Sequence, residues 1–321
     1  MHKMSKNYLN LERSSVQNSQ FMRDIFIDKI FEHAKKDKNL FFTTPDMGAP
    51  SLDGFRKELP NQFIHSGICE QHMISMAAGL TLMKKKVICY AMAPFITSRC
   101  YEQIKCSVAA MDQPVNLVGI GVGLGYADAG PTHYTTEDIA TMRVFPNIEI
   151  ITPCDEISTK KLVDEMLNKE KFRFIRLDRD VVKDIYTDES QVDFEIGYSK
   201  LIGNSSKKCI LSCGYSLLKC FEEIKLQNYK IDLFDIFKIK PLNTKLLKEL
   251  SNYDEIITIE EQWVDGGFGS AIMEFLADNN LYKKVSRFGL NKKFYFENGG
   301  RDYLLKNNGL DFKKILFEIA K

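Results

Sequence analysis

The sequence predicts an α/β chain of doubly wound, mostly parallel sheets arranged in two domains. Three observations carry that prediction. Short β-like runs alternate with helix-periodic stretches over nearly the whole length. The 321 residues suit about two domains. The stretch 179–195 is charged and poor in apolar runs, and it separates one alternating series from a second. The expected organisation is a polar arm over 1–20, a first domain over 21–178, a linker over 179–195 and a second domain over 196–321.

Apolar residues at 22, 25, 26, 30 and 31 predict an amphipathic helix over 21–36. NLFFTT at 39–44 predicts a strand that ends in the turn-rich PDMGAPS. Asp46 then sits just past a strand's C-terminal end, where open α/β sheets place ligands, although a plain turn aspartate fits the same spacing. Residues 62–65 and KVICYAM at 86–92 predict two more strands, with a helix from Glu70 between them. A helix is expected from Phe95 to Met111, a strand at 116–121 and a glycine-rich loop at 121–137. That loop is not a nucleotide-binding signature, since no G-K-[ST] follows it. A helix at 137–142, a strand at 148–152, a helix at 155–167 and a strand at 172–177 close the first series. In the second, strands are expected at 209–212, 231–236 and 255–260, a turn at 240–242, and helices after Gly214, at 246–250 and at 270–277.

A net charge of +1 gives no electrostatic case for nucleic acid or an anionic membrane. No apolar run reaches the roughly 18 residues of a membrane span. The eight cysteines form no C-x-x-C pair, and no metal site is expected on this chain. With a polar start, free thiols imply a reducing cytoplasm.

The stretch HSGICEQHMISMAAGL at 65–80 holds the strongest chemical signal. Glu70 opens a helix whose Ser75, Ala77, Ala78 and Gly79 are small enough for close approach to another helix or a cofactor. A carboxylate at the mouth of such a helix loses hydration, which favours its protonated form and suits donation to a ring nitrogen. A first-turn acid favoured by the helix dipole is the plainer alternative. Phe95, taken alone, reads more often as a core side chain than as the wall of a ring pocket, and Met92 is a second candidate for such a wall. His133, on the loop, is suited to proton transfer near neutral pH or to steadying an oxyanion.

These segments resemble the transketolase and deoxyxylulose-phosphate synthase family. The resemblance rests on G-I-x-E-Q around Glu70, F-I-T-S-R-C-Y-E-Q at 95–103, G-P-T-H at 130–133, S-C-G-Y-S at 212–216, I-K-P-L at 239–242 and E-E-Q…G-G-F-G-S at 260–270. It runs from about Phe21 to the C-terminus and matches the second half of a complete transketolase. It implies a pyrimidine-binding domain of the thiamine diphosphate-binding fold, followed by a transketolase C-terminal-like α/β domain.

The resemblance assigns Glu70 to N1′ of the cofactor's aminopyrimidine and Phe95 to stacking on that ring. Met92, Arg99 and Asp46 are further cofactor-side candidates, and Tyr101 matches the pattern without a role. His133 would face the reactive end of the substrate, with Asp128 and Arg176 as further substrate contacts. Two departures stand out. The acid usually found four positions before the histidine is Ala129 here, and a phosphate-binding histidine falls at Gly121. The synthases' arginine falls at Val122, and a histidine usual in the C-terminal domain is Gln262.

The sequence contains no G-D-G, the start of the family's metal and diphosphate motif. The resemblance therefore implies a beta-type subunit of a split enzyme. An alpha-type partner would hold Mg2+ and the diphosphate, in an α2β2 assembly. The expected reaction is transfer of a two-carbon ketol unit from a ketose to an aldehyde sugar, with an atypical sugar as substrate. The alternatives are a synthase-like acyloin former, a 2-oxo-acid dehydrogenase beta subunit, or a scaffold subunit without activity.

Overall fold

A computed structural model describes residues 21–181, 183–203 and 207–321. The expected arm over 1–20 lies outside the described residues. The first series gives β1 (Leu40–Thr44), β2 (Phe63–His65), β3 (Lys86–Met92), β4 (Val115–Ile120), β5 (Glu149–Ile151) and β6 (Arg173–Leu177). The second gives β7 (Ser199–Ile202), β8 (Lys208–Ser212), β9 (Asp232–Asp235), β10 (Lys238–Lys240), β11 (Glu255–Trp263) and β12 (Lys284–Leu290). They form a seven-stranded sheet, ordered β10-β5-β6-β4-β3-β1-β2, and a five-stranded sheet, ordered β12-β11-β8-β9-β7. Pairing is parallel throughout except at one edge of each sheet, where β10 and β7 run antiparallel to their neighbours.

The central strands explain the arrangement. Every residue of β4 (VNLVGI) is buried, as expected of a parallel strand covered by helices on both faces. One face of the large sheet carries α1 (Met22–Ala34), which buries Met22, Ile25, Phe26, Ile27 and Ile30. The other carries α2 (Glu70–Leu82), which buries Met73, Ile74, Ala77 and Ala78. Helix α3 (Glu156–Asn168) starts on a capping box, with Asp155 accepting from the Ser158 amide at 2.8 Å. The small sheet is flanked by α4 (Gly214–Gln227), α5 (Phe268–Asp278), α6 (Arg301–Asn307) and α7 (Phe312–Ala320).

The two series are not separable blocks. Strand β10 belongs by sequence to the second but adds to the edge of the first sheet beside β5. A turn was expected at 240–242, and the strand comes just before it. Both apolar clusters also mix the two series, and one joins Val115 and Leu117 of β4 to Leu211, Ile256 and Phe268. The expected linker is a packed strap. Ile185, Tyr186, Val192 and Phe194 are buried, and the amides of Ile185 and Tyr186 donate to Asp155 Oδ2 at 3.0 and 2.8 Å. Its charged residues point outward, and a few well-spaced apolar ones hold it down. The helix expected from Phe95 to Met111 is instead broken into short pieces, including a π-helical turn at Ile104–Ala109. No helix among the described residues is long and apolar enough to cross a membrane.

Candidate active site

The candidate residues leave one edge of the large sheet. Strands β2, β1, β3, β4 and β6 are parallel, so their C-terminal ends open on the same side. Glu70 follows β2, Asp46 follows β1, Met92 ends β3 and Phe95 follows it. The glycine loop with His133 follows β4, and the 178–180 turn follows β6. The C-terminal edge of a parallel sheet is where this architecture collects ligand-binding loops.

Four of the predicted residues meet there. Glu70 is only 3% exposed, and Arg99 Nη1 donates to its Oε2 at 2.9 Å. The same guanidinium lies over the Phe95 ring, 3.9 Å from its centroid. His133 meets that ring edge-on, with centroids 5.3 Å apart. Local bonds fix the turn between Phe95 and Arg99. Cys100 Sγ donates to the Phe95 carbonyl at 3.1 Å, and Gln71 Nε2 donates to the Arg99 carbonyl at 3.1 Å. Burial, and next the Glu70 charge, push the Cys100 thiol up to about 12. It stays a neutral donor.

The glycine loop is closed on itself. Thr135 N donates to the Gly123 carbonyl at 3.0 Å, and the His133 amide donates to Gly130 at 3.0 Å. Thr132 Oγ1 lies 2.8 Å from His133 Nδ1. Gly123 takes φ +61°, and a Cβ there would stand 2.6 Å from the Glu261 carboxyl. Only glycine allows that backbone so close to the second series.

The other candidates are placed differently. Asp46 is exposed and faces His65 Nε2 at 3.6 Å. Met92 is half-buried and packs on the core, and Tyr101 packs on the Phe145 ring at 5.0 Å. Asp128 is exposed and pairs with Arg179 Nη1 at 2.9 Å. Arg176 is not brought to the site. Its guanidinium is buried and donates twice to Asp138, from Nε at 2.6 Å and from Nη2 at 3.3 Å. Both faces of β6 are covered and every residue of the strand is buried, so the charge of Arg176 is spent internally on Asp138. Arg179 is the accessible arginine of this strand end, with its guanidinium 4.6 Å from the Tyr126 ring centroid. Sequence reading passed over it. The usable signal was its place beyond the last strand residue, flanked by Asp178 and Asp180.

This arrangement fits one half of a cofactor site. A buried carboxylate beside a half-buried aromatic ring suits a flat, polar heterocycle with a ring nitrogen at its edge. Among the described residues no cluster of three His, Cys, Asp or Glu side chains could hold a metal ion.

Residues 19–183 match the family model described as transketolase, pyrimidine binding domain, and residues 199–315 match transketolase, C-terminal domain. The chain belongs to the transketolase family. It is 32% identical over 308 residues to a putative transketolase C-terminal section of Methanocaldococcus jannaschii, covering 94% of this chain and 96% of that one. It is 30% identical to an apulose-4-phosphate transketolase subunit of Phocaeicola vulgatus, covering 82% of this chain and 86% of that one. A solved structure described as a split gene transketolase, inactive beta4 tetramer, superposes with a TM-score of 0.81 at 25% identity, covering 94% and 99%. Against the 1-deoxy-D-xylulose-5-phosphate synthase of Aquifex aeolicus identity is 30%, and the chain spans 46% of that protein's length. The expectations of transketolase kinship and of a parallel-dominant α/β fold therefore hold. This transketolase-type transferase subunit has domains that imply thiamine diphosphate dependence, and its split relatives imply a partner subunit.

Proposed function

We propose that this chain is the beta-type, pyrimidine-side subunit of a split transketolase, and that Glu70, Phe95 and His133 are its working residues. The observation that carries the reading is the contact chain Glu70–Arg99–Phe95–His133, formed by three separate strand ends. Bound thiamine diphosphate supplies the nucleophilic carbon and the electron sink for breaking and remaking the ketol bond. Glu70 would hydrogen-bond the aminopyrimidine N1′ through its Oε1, since Arg99 engages its Oε2. Phe95 would support the ring face. Arg99 would orient both, as it touches both. His133 would donate to the substrate oxygens as charge develops on them. The metal and diphosphate are assigned to an alpha-type partner in an α2β2 complex, because no G-D-G occurs here.

The substrate is proposed to be an atypical sugar. Ala129 and Gly121 replace two familiar polar readers, and relatives of this length are named for apulose 4-phosphate. Arg179, rather than Arg176, is the proposed anion contact, since Arg176 is closed off by Asp138. The test is Glu70→Ala in the complex reconstituted with the partner chain. Loss of an acid–base group typically lowers turnover by about 10²–10⁴. Turnover close to that of the unsubstituted complex would end the thiamine reading.

A further inference from the structure

We infer that Arg301 is a positioning residue for the substrate side of the site, an inference that rests on the function proposed above. Arg301 lies on α6, far along the chain from every residue that sequence reading singled out. Its guanidinium is buried against the Tyr215 ring, 3.7 Å from the centroid. It donates to Glu261 from Nε at 2.8 Å and from Nη2 at 2.6 Å. It donates to Asp178 from Nη1 at 2.9 Å and from Nη2 at 2.8 Å, and to Asp180 Oδ2 at 3.2 Å. One cation thus organises three carboxylates.

Each of those carboxylates belongs to a segment that carries or anchors a proposed substrate contact. Glu261 Oε1 also accepts from the Leu124 amide at 3.0 Å, so the fork of Arg301 sets where the glycine loop begins. The next two residues of β11 hold its other end. Gln262 Nε2 donates to the Thr135 carbonyl at 3.3 Å, and the Trp263 amide donates to the Thr136 carbonyl at 3.0 Å. The span between these anchors presents Asp128 and His133. Asp178 and Asp180 flank Arg179, the proposed anion contact. Arg301 therefore sets two substrate-side segments against each other while touching neither Glu70 nor Phe95. A planar five-donor fork can do this, and an ammonium group cannot.

Arg301→Lys keeps the charge and removes the fork. Hydrogen exchange on the full chain without cofactor should show amides of 122–136 and 178–181 opening about tenfold faster or more, while β3 and β8 stay protected. In the reconstituted complex the sugar KM should rise about tenfold or more, as displaced binding groups do, while half-saturation by thiamine diphosphate stays within about twofold. Glu261→Gln, which breaks the same fork from the other side with little change of shape, carries the same readouts if Arg301→Lys does not fold. Unchanged loop exchange, an increase spread evenly over the chain, or an unchanged sugar KM would overturn the inference. The exchange readout needs no activity, so it stands apart from the outcome of Glu70→Ala.

Discussion

Arg99 touches both the proposed proton carrier and the proposed stacking ring, yet its side chain is 40% exposed. Its partner Glu70 is buried, with a side chain 4% exposed, so Arg99→Ala leaves a buried acceptor unpaired and should lower unfolding stability by about 1–3 kcal/mol. It should also lower turnover by about tenfold, since the orientation of Glu70 and Phe95 is lost; equal turnover would show that the contact is idle. Two further positions, Ala129 and Gly121, are proposed to set the choice of sugar. A site built to bond a hydroxyl rejects analogues that lack it, because its own polar groups are left unpaired. With Ala129 in place of an acid that penalty is absent. A panel of kcat/KM values should show weak discrimination against deoxy and epimeric sugars, and xylulose 5-phosphate should be a poor donor. If xylulose 5-phosphate and ribose 5-phosphate form the best pair by about a hundredfold, the reading of these substitutions fails. The sequence singled out Glu70, Phe95, Arg99 and His133 through motifs of the family it resembles, and the structure brings the four side chains into contact. Arg176 misled because one sequence position says nothing about which way a strand residue faces, and Asp138 lies 38 residues upstream in the chain.

The strap over 183–196 rests on a buried carboxylate cluster. Asp235, at the end of β9, is fully buried and accepts at Oδ2 from Tyr186 at 2.8 Å and Cys154 at 3.3 Å. Its Oδ1 finds no hydrogen-bond partner among the described residues. Burial, with the Asp155 charge adding to it, pushes the Asp235 carboxyl up to about 7. Between its ordinary value near 3.8 and about 7, the folded state holds a proton that the unfolded chain has lost. Stability then falls as pH rises through that window, the reverse of the usual salt-bridged aspartate. Asp235→Asn removes the charge and keeps the acceptor. Its unfolding free energy from urea titration should match that of the unsubstituted chain at pH 4 and exceed it at pH 8, by an amount on the order of a few kcal/mol. A constant difference across that range would contradict the assignment. Strand and helix positions were largely legible, because apolar period and turn residues are local signals. The strap and β10 were not. Their burial depends on partners far off in sequence, Asp155 for the strap and β5 for β10.

At the scale of the whole molecule, the two sheets share their cores, and the second series reaches into the site through Glu261 and Arg301. Assigning that series no catalytic residue is compatible with its setting the loops of the first. On the proposed reading the chain offers a cofactor one side, the Glu70 carboxylate and the Phe95 ring. The central claim is that it forms half of a divided thiamine diphosphate site. The most direct measurement is calorimetric titration of thiamine diphosphate with Mg2+ into this chain, into the alpha-type partner and into their mixture. The account predicts tight binding in the mixture alone, weakened when the mixture is made with Glu70→Ala. Binding of about micromolar affinity or tighter by this chain without its partner would contradict it.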